Sequence, residues 1–316
     1  MNIFKMNIFS FPLVELVYMA CFSVASSVTF RDYSICEYYL MRFAIDKFTY
    51  SEREHYGLLY ENELQCINQN KKEACLIILQ PNNFKLEPTT VWSFPDRGGW
   101  ATHSGKYRGN WSPYVPRNLI LRYSNPGDWV LDQFMGSGTT LVEARLLGRN
   151  AVGVDINPQS VSISETNLQF QCETNSKIFT RNGNATDLHF IKDSRIDFIC
   201  THPPYANIIK YSKGIEGDIS LLGVAEFLDE MQKVANEAYR VLKKGKICVV
   251  MIGDVRKYGK VIPLGFRMME CFLQAGFTNK EIIIKEQHNC RSADYWGKQN
   301  NNFLLLAHEY IFVFEK

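Results

Sequence analysis

The 316-residue chain carries almost no excess charge of either sign: 35 Lys+Arg against 33 Asp+Glu leave a formal +2. That balance excludes a uniformly basic polyanion-binding protein, so any nucleic-acid surface has to be local. No Cys-x-x-Cys pair occurs among the nine cysteines. An odd, scattered set of thiols argues against a disulfide frame and a structural zinc site, and points to a reducing, cytoplasmic setting. Internal repeats and low-complexity tracts are lacking. With 46% hydrophobic residues the chain is neither disordered nor fibrous. The longest apolar stretch, residues 11–30, has the length of a membrane span. Glu15 in its middle and the Ser and Thr residues of its second half make a buried helix the expectation, with no membrane association.

What is present changes character near residue 90. Residues 1–91 are aromatic-rich text without a chemical signature, ending in the strand-like ACLIILQ (74–80), and read as an N-terminal region of unknown role, target recognition being one candidate. Residues 92–316 alternate short apolar runs with amphipathic stretches, the pattern of a doubly wound α/β sheet. Strands are predicted at 128–134, 150–156, 177–182, 196–201, 246–253, 281–287 and 302–316. Helices are predicted at 139–148, from Pro158 onward, at 227–244 and at 263–275. The last two strands lack a crossover helix between them, so the sheet should be mostly parallel with an antiparallel last strand.

The first of these units carries DQFMGSGTT, with Gly136 and Gly138 between a strand and a helix. There the backbone can approach a ligand closely and helix amides can face it. No lysine follows Gly138, which disfavours a triphosphate-binding loop. Asp155 ends the second strand about 20 residues later, where an acid can accept hydrogen bonds from ribose hydroxyls. A solvated carboxylate at a strand tip would look the same.

FMGSGTT and the VDINP that follows resemble motifs I and II of the S-adenosylmethionine-dependent amino-methyltransferases that act on DNA, whose usual text is Asp-Pro-Phe-x-Gly-Ser-Gly-Thr. Gln133 replaces the proline, a departure expected to alter turn stiffness and not chemistry. The resemblance implies a Rossmann-like methyltransferase fold and S-adenosyl-L-methionine as cofactor, held by Asp132, Phe134, Gly136, Gly138, Thr139 and Asp155. Residues 110–124 resemble the family's helical segment around the methionine end. The family's third acidic position usually reads Gly-Asp; here Gly183-Asn184 stands with Asp187 three residues on, and adenine recognition falls to either Asn184 or Asp187.

THPPY (201–205) follows the fourth predicted strand. Two consecutive prolines fix φ and donate no hydrogen bonds, so the chain leaving the strand is stiff and its carbonyls are free to accept. The run resembles the family's motif IV, Asp/Asn/Ser-Pro-Pro-Tyr/Phe, with His202 in the first position. The resemblance implies that His202, Pro203, Pro204 and Tyr205 are catalytic. Acceptors would hold the N–H groups of an exocyclic base amine, and Tyr205 would lie against the base. A neutral imidazole can accept one hydrogen bond and a protonated one cannot, so activity should fall as His202 titrates. The target base must be extruded from the duplex. A strand-terminating turn with a buried tyrosine is the competing reading.

Residues 92–123 place Arg97, Lys106, Arg108, Arg117 and Arg122 among Trp100, Tyr107, Trp111 and Tyr114, which suits nucleic-acid contact or an aromatic rim around the cofactor. The Asn/Gln-rich run 287–302 is a second candidate for base contact. His288 and Cys290 on one loop read as structural, not metal-binding. Cys200 reads as a packed strand residue and not a nucleophile. The expectation is a DNA methyltransferase acting on an exocyclic base amine, with N4 of cytosine ahead of N6 of adenine because the text is similar to a Thr-Ser-Pro-Pro-Tyr form. Its expected partners are DNA with a flipped base and, from the family, a cognate restriction endonuclease. An RNA base methyltransferase and an inactive nucleic-acid-binding relative are the rivals.

Overall fold

A computed structural model describes residues 78–288 and 302–316. The buried helix expected at residues 11–30, most of the strand expected at 74–80, Cys290 and most of the run 287–302 lie outside the described residues. Ile78 to Gln80 are not in a strand. The compact unit spans Ile77–Lys316.

Each predicted strand of the second region forms. The strands are β1 (Val91–Trp92), β2 (Trp129–Asp132), β3 (Asn150–Asp155), β4 (Ile178–Asn182), β5 (Ile196–Thr201), β6 (Leu242–Ile252), a hairpin of β7 (Val255–Lys257) and β8 (Lys260–Ile262), β9 (Thr278–Glu286) and β10 (His308–Glu315). The helices are α1 (Tyr114–Tyr123), α2 (Thr139–Leu146), α3 (Pro158–Asn167), α4 (Val224–Val241) and α5 (Leu264–Gln274). The main sheet runs β1-β9-β10-β6-β5-β2-β3-β4. Neighbours from β6 through β4 are parallel, and β10 is antiparallel to both β6 and β9, the arrangement expected without a crossover helix.

Both faces of the sheet are covered, which explains why its strands read as unbroken apolar runs. Successive strand side chains point to opposite faces, so Phe198 and Cys200 pack on the α1 and α2 side while Ile199 packs on the α4 and α5 side. On β10, Ile311 and Val313 share the first core, and Tyr310, Phe312 and Phe314 the second. Helix α4 buries Phe227, Met231, Val234, Ala235, Ala238 and Val241, an i, i+4, i+7 stripe. Burial of each large side chain there stabilises the fold by roughly 1.5–3 kcal/mol.

Some boundaries shift from the expectation, the last strand beginning at His308 and not at residue 302, and one hairpin is new. Helix α4 ends at Val241 and not Lys244, because Leu242 pairs with Ile196 and the strand begins there, with Gly245 at φ 72 where the register shifts. The hairpin β7–β8, turned by Tyr258 and Gly259 at positive φ, was not predicted. Strand β1 also joins the sheet, parallel to β9 through Ile284.

Candidate active site

Parallel strands that all end on one edge bring their C-terminal turns together. Here the glycine bend after β2 and the double-proline corner after β5 open onto one cavity. Its lining includes Asp132, Gln133, Phe134 and Gly136 from the first turn, Asp155 to Asn157 after β3, Asn184 after β4, and His202 and Pro204 after β5.

The glycines do what their positions require. Gly136 and Gly138 stand at φ 50 and 84, which non-glycine residues rarely adopt, and a Cβ on Gly138 would lie 2.3 Å from Ser164 Oγ. The turn brings the Gly136 N–H to Asp155 Oδ2 at 3.0 Å, while Asn157 N–H donates to Oδ1 at 2.9 Å. Burial raises the Asp155 carboxyl above its usual range, and those two N–H donors oppose the rise. Asp132, only 2% exposed, accepts from Thr140 Oγ1 at 2.6 Å, Thr201 Oγ1 at 2.8 Å and the Phe134 N–H at 3.1 Å. Even so, desolvation pushes its carboxyl up to about 6.

The remaining predicted residues divide. Asn184 lines the cavity and caps its own turn by accepting from the Thr186 N–H; Asp187 is exposed and paired with His189, outside the cavity. Gly138 and Thr139 sit behind the lining, Thr139 Oγ1 donating to Asn110 Oδ1 at 2.6 Å. Pro203 is buried. Tyr205 does not line this cavity; its hydroxyl donates to Glu309 Oε1 at 2.6 Å. His202 lines it, with its ring stacked on Trp111 at 5.3 Å. Burial brings the His202 imidazole down to about 4, the Lys285 charge adding and Glu309 opposing. Its titration therefore falls well below the ordinary histidine range in which a loss of activity was expected.

One further expectation is corrected. Gln133 is more than a change in turn stiffness: its Nε2 donates to the carbonyls of Ala185 and Val234, tying the turn after β4 to α4. The basic and aromatic stretch 92–123 turns mostly inward. Trp92, Trp100 and Trp111 are core residues, Arg117 pairs with fully buried Glu143 at 2.9 Å, Arg97 donates to the Trp111 carbonyl, and Arg122 to the Glu87 carbonyl. For the rim reading, Tyr107 and Trp111 line the cavity; for the nucleic-acid reading, Lys106 and Arg108 remain exposed cations without a protein acceptor among the described residues. Cys200 is fully buried on β5, and burial pushes its thiol well up, as suits a packed residue.

Sequence reasoning passed over Tyr211 and Asp218, which complete the cavity wall with Tyr107, one of the aromatic residues weighed as a rim around the cofactor. Tyr211 and Asp218 come from the long connection after the proline corner, which has no strand or helix period to mark it. The Tyr107 and Tyr211 rings stack at 6.3 Å.

A profile of the family described as DNA methylase matches residues 20–166 and 196–316. The chain belongs to the DNA methylase family. The cofactor of these amino-methyltransferases is S-adenosylmethionine. A second profile, described as RMKL-like methyltransferase domain, matches residues 120–254. The chain is 43% identical over 63 residues to the Type II methyltransferase M.MjaII of Methanocaldococcus jannaschii, covering 20% of this chain and 12% of that one. It is 36% identical over 124 residues to the tRNA (guanine(10)-N2)-dimethyltransferase of Methanothermobacter thermautotrophicus, covering 39% of this chain and 34% of the relative. The matched stretches thus span about a third or less of these curated relatives. Among solved structures, an SAM-dependent methyltransferase from Methanosarcina mazei aligns at 17% identity and TM-score 0.45, covering 63% of this chain and 96% of its own.

The cavity suits that cofactor. Asp132, Asp155 and Asp218 surround a space that would repel phosphate and favour a sulfonium and ammonium. Gln133 Oε1 and Asp218 Oδ2 are buried without a hydrogen-bond partner among the described residues. Both residues line the cavity, so the amine and hydroxyl donors of an adenosine would satisfy atoms that otherwise cost free energy. Among the described residues no helix is long and apolar enough to cross a membrane.

Proposed function

We propose that this chain methylates the exocyclic amine of a DNA base, drawn out of the duplex into the mouth of the cavity beside His202. The observation that carries the reading is the shared cavity: the glycine turn and the proline corner both line it, so methyl donor and amine acceptor can meet. Bound S-adenosylmethionine supplies an electrophilic methyl group on a sulfonium.

The chain's own residues do the rest. Asp155 accepts from ribose hydroxyls, Asn184 and Asp218 face the adenine end, and Asp132 places negative charge at the turn. Asn110 bonds Ser137 and Thr139, bracing the start of α2 against the glycine turn. An amine conjugated to a base ring is a poor nucleophile because its lone pair is delocalised. The stiff His202-Pro203-Pro204 corner offers acceptors to its N–H groups, which favours a lone pair localised for attack. Tyr205 stands behind this corner, its hydroxyl 2.9 Å from His202 Nε2, and extrusion of the base costs a few kcal/mol that contacts in the cavity mouth must offset.

N4 of cytosine is the proposed target, on the strength of the Thr201-x-Pro-Pro-Tyr text without an acid. A cognate restriction endonuclease is the proposed partner. The likeness to a tRNA guanine-N2 dimethyltransferase favours a second reading, an amine in RNA. Incubating genomic DNA and, separately, transfer RNA with methyl-labelled cofactor, then separating nucleosides, tests the target base and the choice between DNA and RNA. N4-methylcytosine in DNA is the expected product and N6-methyladenine would move the target base. Label in transfer RNA alone would support the second reading, and tight cofactor binding without turnover on either would leave a binding protein.

A further inference from the structure

A neutral imidazole carries its one proton on either nitrogen, and only the bare nitrogen can accept from an amine. Residues behind the cavity decide which nitrogen that is. Lys285 on β9 donates to Glu309 Oε2 at 2.9 Å, and Glu309 on β10 accepts the Tyr205 hydroxyl at Oε1, 2.6 Å away. Tyr205 Oη in turn lies 2.9 Å from His202 Nε2. Burial alone would raise the Glu309 carboxyl, but Lys285, His202 and the tyrosine hydroxyl outweigh it and hold it below its ordinary value. Glu309 is therefore an ionised carboxylate, which can only accept.

The Tyr205 hydroxyl has a single proton, and Glu309 takes it. The bond between Tyr205 Oη and His202 Nε2 must then be made with a proton from the histidine. Nδ1 is left bare on a ring that lines the cavity, and it makes no hydrogen bond among the described residues. Trp111, stacked within 23° of the ring plane, limits its rotation.

We infer that Lys285, Glu309 and Tyr205 form a positioning relay that holds His202 as the Nε2–H tautomer and presents bare Nδ1 as the acceptor for the target amine. The inference rests on the amine-methylation reading for its purpose, though not for its geometry. The relay needs the Tyr205 hydroxyl and not only its ring.

The test is nitrogen-15 NMR of the full chain labelled at histidine, the His202 ring signals being identified by their loss in His202→Gln. From pH 6 to 8 the wild-type protein should show a protonated Nε2 and an unprotonated Nδ1. In Tyr205→Phe the two tautomers should mix, and kcat should fall at least tenfold while the KM for S-adenosylmethionine stays within twofold. In a His202→Asn background, whose amide oxygen has no tautomer to choose, the further Tyr205→Phe change should cost less than twofold. A wild-type ring protonated on Nδ1 would overturn the relay, as would Tyr205→Phe with an unchanged tautomer and full kcat. The NMR arm needs no substrate, so a wrong assignment of DNA as substrate would leave it standing, and a wrong relay would leave DNA methylation standing.

Discussion

Replacing Asp132 with asparagine sets stability against cofactor binding. Burial lifts this carboxyl from 3.8 to about 6, the native state therefore holding the proton more tightly than the unfolded chain. The sign follows: its contribution to stability falls as pH rises from about 4 to about 6 and stays low above that. At about 1.4 kcal/mol per pH unit, keeping the group ionised at neutral pH costs the fold about 3 kcal/mol. Asparagine removes the charge but gives one acceptor oxygen where Asp132 satisfies Thr140, Thr201 and the Phe134 N–H, a loss of about 1–2 kcal/mol. Asp132→Asn should therefore be more stable than wild type by about 1–2 kcal/mol at pH 7.5, a rise of a few degrees in Tm. The difference should vanish or reverse near pH 4. Affinity for S-adenosylmethionine should fall about tenfold or more, because a cation loses a carboxylate in a desolvated cavity. Thermal melts across pH and calorimetric titration of the cofactor read both quantities. A variant that melts lower at pH 7.5 and binds cofactor as before would refute the reasoning and make Asp132 a structural acceptor only.

Two other outcomes follow from the geometry. With His202 down at about 4, transfer under saturating, chemistry-limited conditions should be flat from pH 8 to 6 and fall only as pH approaches 4, since the imidazolium cannot accept; a midpoint near 6.5 would show an exposed ring and contradict the burial. Gly138→Ala places a Cβ 2.3 Å from Ser164 Oγ at φ 84, so it should cost at least about 1–2 kcal/mol in denaturant melts and weaken cofactor binding. Gly99→Ala, with nothing within 4 Å, should stay within about 0.5 kcal/mol of wild type, and equal effects of the two would contradict the turn's role.

Residues 128–155 show what was legible in the sequence. The strand, the glycine turn, the helix and the acid after the next strand are each set by neighbours within a few positions, through apolar period and positive-φ demands, so local text suffices. The proline corner was legible for the same reason, and the antiparallel last strand followed from a missing crossover helix.

The inward fate of Arg97 and Arg117 was not legible, because whether a cation faces solvent or a buried Glu143 depends on a partner 26 residues away for Arg117 and on packing around both. Nor was the state of His202: Glu309 lies 104 residues from Tyr205 in sequence and meets it only because β10 returns antiparallel beside β6. The amino-acid sequence by itself determined the strands, the turns and which corners could meet a ligand, since those are decided by side-chain period and backbone conformation. The tertiary structure alone decided which charges were desolvated and which protons were committed, since hydrogen-bond partners and burial exist only once distant strands lie side by side.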